Sequence, residues 1–150
     1  MLRFNVNSGE ITLAASTAKT CLQVKAPTNQ RVLIRKLRIM GKMAAGGTDT
    51  PVKVRMTRST ANFGTGSSVT PTKCNPSDTE TIQSTAFGTF TVEPTTPTDG
   101  GLWWEVQPQS GIIEFYPDKE PIIIPGGQSV QFEATSAATP TLNFQAECEE

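Results

Sequence analysis

Histidine is absent from the 150 residues, and that gap removes Ser-His-Asp and Cys-His catalysis together with the commonest metal ligand. Long apolar runs are missing as well. Nothing approaches the ~20 apolar residues of a membrane-spanning helix. The opening Met1-Leu2-Arg3-Phe4-Asn5-Val6-Asn7 lacks the apolar centre of a secretory signal, so a soluble, unprocessed chain is expected. Cysteine is sparse: Cys21, Cys74 and Cys148 stand far apart, without the paired spacing of a zinc site or a disulfide framework, and read as free, mostly buried thiols. No Asn-x-Ser/Thr glycosylation acceptor occurs, because Asn75 is followed by Pro76.

Net charge is close to zero at −1, yet the charges are segregated along the chain. Residues 1–73 carry twelve Lys and Arg against Glu10 and Asp49, a net +10; residues 74–150 carry Lys119 against twelve Asp and Glu, a net −11. Two explanations are open. Strands from the two halves can pair within one sandwich and neutralise each other, or basic and acidic sides can meet those of neighbouring copies in an assembly.

What the chain does have is turn chemistry between short apolar stretches: eleven Pro, twelve Gly and abundant Thr, a composition that favours many strands over long helices. A chain of this length fits one domain and can bury roughly 70% of its unfolded surface without metals or disulfides. The expected organisation is a single β-sandwich domain over residues 1–150.

Period-two alternation supplies the strands. Phe4 and Val6 alternate with Arg3 and Asn5, and Ile11 and Leu13 follow after Ser8-Gly9. Leu22 and Val24 alternate with Gln23 and Lys25. Val32 and Ile34 share a face that Leu37 and Ile39 continue only if the chain slips one residue near Arg35-Lys36, which is what a β-bulge does. Val52, Val54 and Met56 alternate cleanly with Lys53, Arg55 and Thr57.

Residues 59–79, rich in Ser, Thr, Gly and Pro, read as one long loop, with a single helical turn allowed near 78–83 by the spacing Ser77-Asp78-Thr79-Glu80. Strands resume near 87–93, 102–107, 112–116, 121–124, 128–134 and 141–148. About ten short strands with one wet face each point to a two-sheet antiparallel sandwich of jelly-roll type.

Nothing in the sequence assembles a catalytic, cofactor or metal site. Ser16-Thr17-Ala18-Lys19 has the Ser-x-x-Lys spacing but neither a helix nor companion motifs. Glu105, Glu114 and Glu133 are expected to point outward, which separates them from a glycosidase-like carboxylate pair. Gly46-Gly47, Gly100-Gly101 and Gly126-Gly127 match no phosphate or dinucleotide fingerprint and read as turns.

Binding is the better prospect. Arg35, Lys36, Arg38, Lys53, Arg55 and Arg58 are placed to form a basic stripe on adjacent strands. No aromatics are interleaved to stack bases, so an acidic protein surface suits that stripe better than nucleic acid. In the strand around Trp103-Trp104, alternation puts Leu102, Trp104 and Val106 in the core and Trp103 outside, where an aromatic can anchor an interface. Trp103 and Tyr116 are the expected outward aromatics, and together with Arg35, Lys36, Arg38, Lys53 and Arg55 they form the candidate interface set.

Several stretches resemble small virion proteins of tailed bacteriophages: Phe4-Asn5-Val6-Asn7-Ser8-Gly9-Glu10-Ile11-Thr12-Leu13, Ala18-Lys19-Thr20-Cys21-Leu22-Gln23, Ala26-Pro27-Thr28-Asn29-Gln30-Arg31 and Glu80-Thr81-Ile82-Gln83-Ser84-Thr85. The segment Gln107-Pro108-Gln109-Ser110-Gly111, Pro117, the run from Pro121 to Gly127 and the closing Glu149-Glu150 extend the likeness over most of the chain. The resemblance implies a head decoration, or cement, protein. That is a β-sandwich, made in the host cytoplasm, that trimerises on the outer capsid surface and binds the major capsid protein, locking shell subunits against internal DNA pressure. Such proteins have no active site to carry over, and the 59–79 loop and the cysteines are where this chain is most individual. A carbohydrate-binding or receptor-binding jelly-roll module of a tail fibre is the alternative expectation.

Overall fold

The computed structural model describes residues 1–95, 97–117 and 120–150. Alternating stretches become strands because one face of each can be dried against a partner sheet while the other stays wet. From the first half come β1 (Arg3–Thr12), β2 (Lys19–Lys25), β3 (Val32–Lys42) and β4 (Val52–Ser59). The next pair, β5 (Thr65–Val69) and β6 (Thr72–Lys73), precedes β7 (Thr85–Val92) and β8 (Thr98–Val106). The last four are β9 (Ile112–Phe115), β10 (Ile122–Ile124), β11 (Ser129–Ser136) and β12 (Thr141–Glu149).

They form two antiparallel six-stranded sheets packed as a sandwich. Sheet A runs β10-β3-β12-β1-β6, with β9 also paired to β3; sheet B runs β5-β7-β2-β11-β4-β8. Phe4, Val6, Leu37, Ile39 and Phe144 of sheet A meet Leu22, Val24, Val54, Met56 and Phe132 of sheet B in one buried cluster. The Phe132 ring stacks on Phe144 across the sandwich at 6.4 Å and tilts against Trp104 at 6.1 Å. Burying a side chain of this kind is worth ~1.5–3 kcal/mol, so the cluster is the main favourable term.

The expected bulge in β3 is present. Glu147 pairs with Lys36 but the next residue, Cys148, pairs with Ile34, so Arg35 is the additional residue and both Ile34 and Leu37 reach the core. A second bulge, in β2, breaks the alternation that would set Cys21 on the face opposite Leu22 and Val24. Leu22 pairs with Phe132 and Thr20 with Glu133, so Cys21 is the inserted residue and joins the core instead of facing away from Leu22.

Three further readings are corrected. Residues 59–79 are not one structureless loop: β4 runs to Ser59, β5 borders sheet B beside β7, and β6 adds to sheet A beside β1. Short polar strands of this kind owe their place to edge pairing, which carries little periodic signal. No helical turn forms at 78–83. Asn75 instead bonds Asp78 at 2.9 Å and accepts from the Ser77 amide at 3.1 Å, an Asx turn that competes with helix. Gly100 and Gly101 lie within β8 instead of between strands. Gly111 does serve a turn: its φ of 67° and the 2.7 Å between a Cβ there and the Ile39 carbonyl leave room for glycine alone as β9 begins.

Candidate interaction surfaces

The segregated charges are brought side by side in the sheets, and part of them pair. Basic β4 lies between acidic β11 and β8, and basic β3 lies against acidic β12 and β9. Arg55 Nε donates to Glu133 Oε1 at 2.6 Å, and the bond holds the guanidinium more firmly protonated than usual. Arg35 donates to both oxygens of Glu149, through Nε at 3.1 Å and Nη2 at 3.3 Å, while Arg3 Nε lies 3.4 Å away. Although outward on its strand, Glu149 is buried under these two side chains. Arg35's hydrogen bonds hold its carboxyl below the ordinary carboxylate range, against the opposing effect of burial. Lys42 pairs with Glu10 at 2.8 Å.

The basic stripe expected on adjacent strands does not exist as one surface. Arg35, Lys36 and Arg38 lie on β3 of sheet A, whereas Lys53, Arg55 and Arg58 lie on β4 of sheet B. Residues 43–51 carry the chain from one sheet to the other, so consecutive strands face opposite solvents. Arg35 is spent on Glu149 and is not a free contact. Arg58 reaches back across the sandwich, donating from Nη1 to the Ile123 carbonyl at 2.6 Å, and burial lowers its proton affinity.

Two distinct surfaces remain. On sheet B, Trp103 is 56% exposed as alternation predicts, with the Arg55 guanidinium 5.8 Å from its ring. Lys53 sits opposite Glu105 in the β4–β8 register. A shallow hollow of about 210 Å³ is lined by Lys53, Arg55, Trp103, Glu133 and Thr135. Glu105 is exposed and Glu133 is held by Arg55, as outward residues.

The second surface, on sheet A, is one the sequence reading missed. Tyr116, expected outside, packs against the core; its hydroxyl is buried, and burial, with Glu114 adding to it, pushes the phenol up to about 12. Ile112 and Tyr116 pack on the core from the β9 edge, so alternation puts Glu114 on their side and not outward. Phe115 and Ile113 take the outer face instead, 70% and 50% exposed. Lys36 Nζ lies 4.8 Å from the Phe115 ring, Ile113 is opposite Arg38, and Ile123, 42% exposed, is opposite Leu33. An aromatic therefore does lie beside the basic residues, supplied by a strand some eighty residues away.

Cys21 and Cys148 are fully buried and Cys74 is exposed. Burial pushes Cys21 up to about 12 and Cys148 higher still, so neither thiol ionises at neutral pH. Among the described residues no group of three His, Cys, Asp or Glu is arranged to hold a metal ion. In comparisons with known proteins, no family model, no curated protein and no solved structure matches the chain.

Proposed function

We propose that this chain is a structural virion protein that coats the outer surface of a tailed-phage capsid as a symmetric oligomer, with threefold symmetry expected, and stabilises the expanded shell. One observation carries the reading beyond the sequence resemblance. Four of the seven exposed large apolar side chains among the described residues, Met40, Ile113, Phe115 and Ile123, lie along β3 and the two short strands at its edge. Isolated exposed apolar residues are ordinary, but a run of them along one edge marks a contact surface. Under this reading the sheet orders β10-β3-β12-β1 and β2-β11-β4-β8 are taken as jelly-roll-like.

The mechanism is thermodynamic and asks for no catalysis. A protein that binds only the expanded shell stabilises it by mass action, and each oligomer that bridges several shell subunits gains from effective concentration. The test is to mix the purified protein with undecorated expanded capsids of the phage that encodes it and follow co-sedimentation and capsid melting. Saturable binding with a raised melting temperature is expected; no binding sinks the proposal. A tail-fibre module that binds carbohydrate or a receptor is the second reading, favoured by exposed Trp103 backed by Arg55. Mass spectrometry of purified virions separates the two, with hundreds of copies for a coat protein and few for a fibre module.

A further inference from the structure

We infer that the strip on the outer face of sheet A along β3, β9 and β10 is the surface that seats on the shell, and that it takes an acidic, partly apolar protein surface; the inference rests on the capsid-coating reading. Phe115 and Ile113 project from β9, Ile123 from β10 and Met40 from β3, with exposures from 38% to 70%. Lys36 and Arg38 stand among them, opposite Phe115 and Ile113 in register.

Their charges set this strip apart from the Trp103 surface. Arg35, Arg55 and Lys42 are each committed to a carboxylate, whereas Lys36 and Arg38 make no ion pair among the described residues. Glu147 lies opposite Lys36 in the β3–β12 register, which leaves the pair of cations in excess by one among the described residues of these strands. Docking the strip on its own copy would set like charges against each other, which disfavours self-association there. The Trp103 surface has Arg55 matched by Glu133 and Lys53 facing Glu105, so it has no sign with which to choose a partner. Nucleic acid would satisfy the two cations and stack on one ring, but it would leave Ile113, Ile123 and Met40 without apolar cover. An acidic protein surface with apolar side chains satisfies both kinds of residue.

The experiment is co-sedimentation of the full-length chain with undecorated expanded capsids, using Phe115→Ser, the double variant Lys36→Glu/Arg38→Glu, and Trp103→Ala, each checked for a wild-type melting curve. These side chains lie outside the core, so folding is expected to survive; if Phe115→Ser melts early, the charge variant decides. Both strip variants are expected to weaken capsid binding at least about tenfold. Wild-type binding should weaken with added salt, and the charge variant should lose most of that dependence. Trp103→Ala should bind as wild type.

Strip variants that bind normally while Trp103→Ala fails would overturn the inference and leave the coating reading standing. A wild-type protein that ignores capsids ends both. Two other results also overturn it: strip variants that dissociate the free protein without affecting capsid binding, which makes the strip a self-contact, and a mixed-sequence oligonucleotide that competes with capsids for the strip.

Discussion

Residues 60–64 cross the outer face of sheet B, where Gln23 Nε2 donates to the Phe63 carbonyl at 3.0 Å and Lys25 Nζ lies 4.0 Å from the Phe63 ring. Beneath and beside that cover the outward side chains are polar, buried and bonded to each other: Ser129 donates to Gln131, whose Nε2 donates to Ser59 at 2.5 Å. The outer face of sheet A along β3, β9 and β10 does the reverse, exposing Phe115, Ile113 and Ile123 to solvent. A polar face can be closed by the chain's own loop where its buried groups bond one another, as Ser129, Gln131 and Ser59 do, although the buried Thr57 hydroxyl beside them has no hydrogen-bond partner among the described residues. The apolar edge has no such cover among the described residues, and under the proposed function the capsid shell covers it. Burial and polarity, taken together, separate the face that serves the fold from the face proposed for binding.

The largest effect should come from what both faces share. Phe132 lies between Phe144 and Trp104, and Phe132→Ala should cost ~3–5 kcal/mol in urea denaturation through the cavity it leaves. Trp104→Ala should lose a smaller part of that, because Trp104 is only partly buried, while Trp103→Ala should change stability by no more than ~0.5 kcal/mol. If Trp103→Ala were the costlier of the two, β8 would be out of register by one residue.

Glu149 tests the part of sheet A's outer face that is closed. Glu149→Gln replaces the charged acceptor of the Arg35 and Arg3 guanidiniums with a neutral amide at a buried position and should destabilise the fold by ~1–3 kcal/mol at pH 7. Its carboxyl is held below the usual range, so its contribution is fully present above the unfolded value of ~4.3 and is lost as pH falls through the lower native value. Acid titration of the wild type should therefore show a steeper loss of stability below about pH 4 than the variant does. Identical acid limbs would remove this carboxylate from the account.

Gln131 and Gln145 sharpen the contrast between the two faces directly. Gln131→Ala leaves Ser59 and Ser129 buried without their shared partner and should cost ~1–2 kcal/mol, whereas Gln145→Ala, on sheet A, should stay within ~0.5 kcal/mol. Equal costs in thermal melts would mean that residues 60–64 do not close sheet B's face in solution. The smallest effect belongs to the thiols. A thiol reagent should label one site per chain, Cys74, in the native protein and three after denaturation, and Cys74→Ser should leave stability within ~0.5 kcal/mol. Native labelling of Cys21 or Cys148 would show that the core opens.

The sandwich, most of its strands, the bulge at Arg35 and the outward placement of Trp103 were legible in the sequence, because side-chain alternation is local and a break in it forces a bulge. The all-β class followed for the same reason. Sheet membership was not legible. It depends on pairings between residues as distant as Phe4 and Cys148, which put β3 and β4 in different sheets and divided a basic stripe that looked continuous. Nor was the β9 register, since Ile112-Ile113-Glu114-Phe115-Tyr116 has apolar residues on both faces and alternation alone does not choose between them. The edge of β3 made that choice, drawing Ile112 and Tyr116 onto the core and leaving Phe115 beside Lys36. Tertiary structure likewise settled the charges: composition divided them into halves of +10 and −11, and cross-strand pairing brought Arg55 to Glu133 and Arg35 to Glu149. Period and composition are fixed by neighbours in sequence, while partners are fixed by packing, which no local pattern encodes.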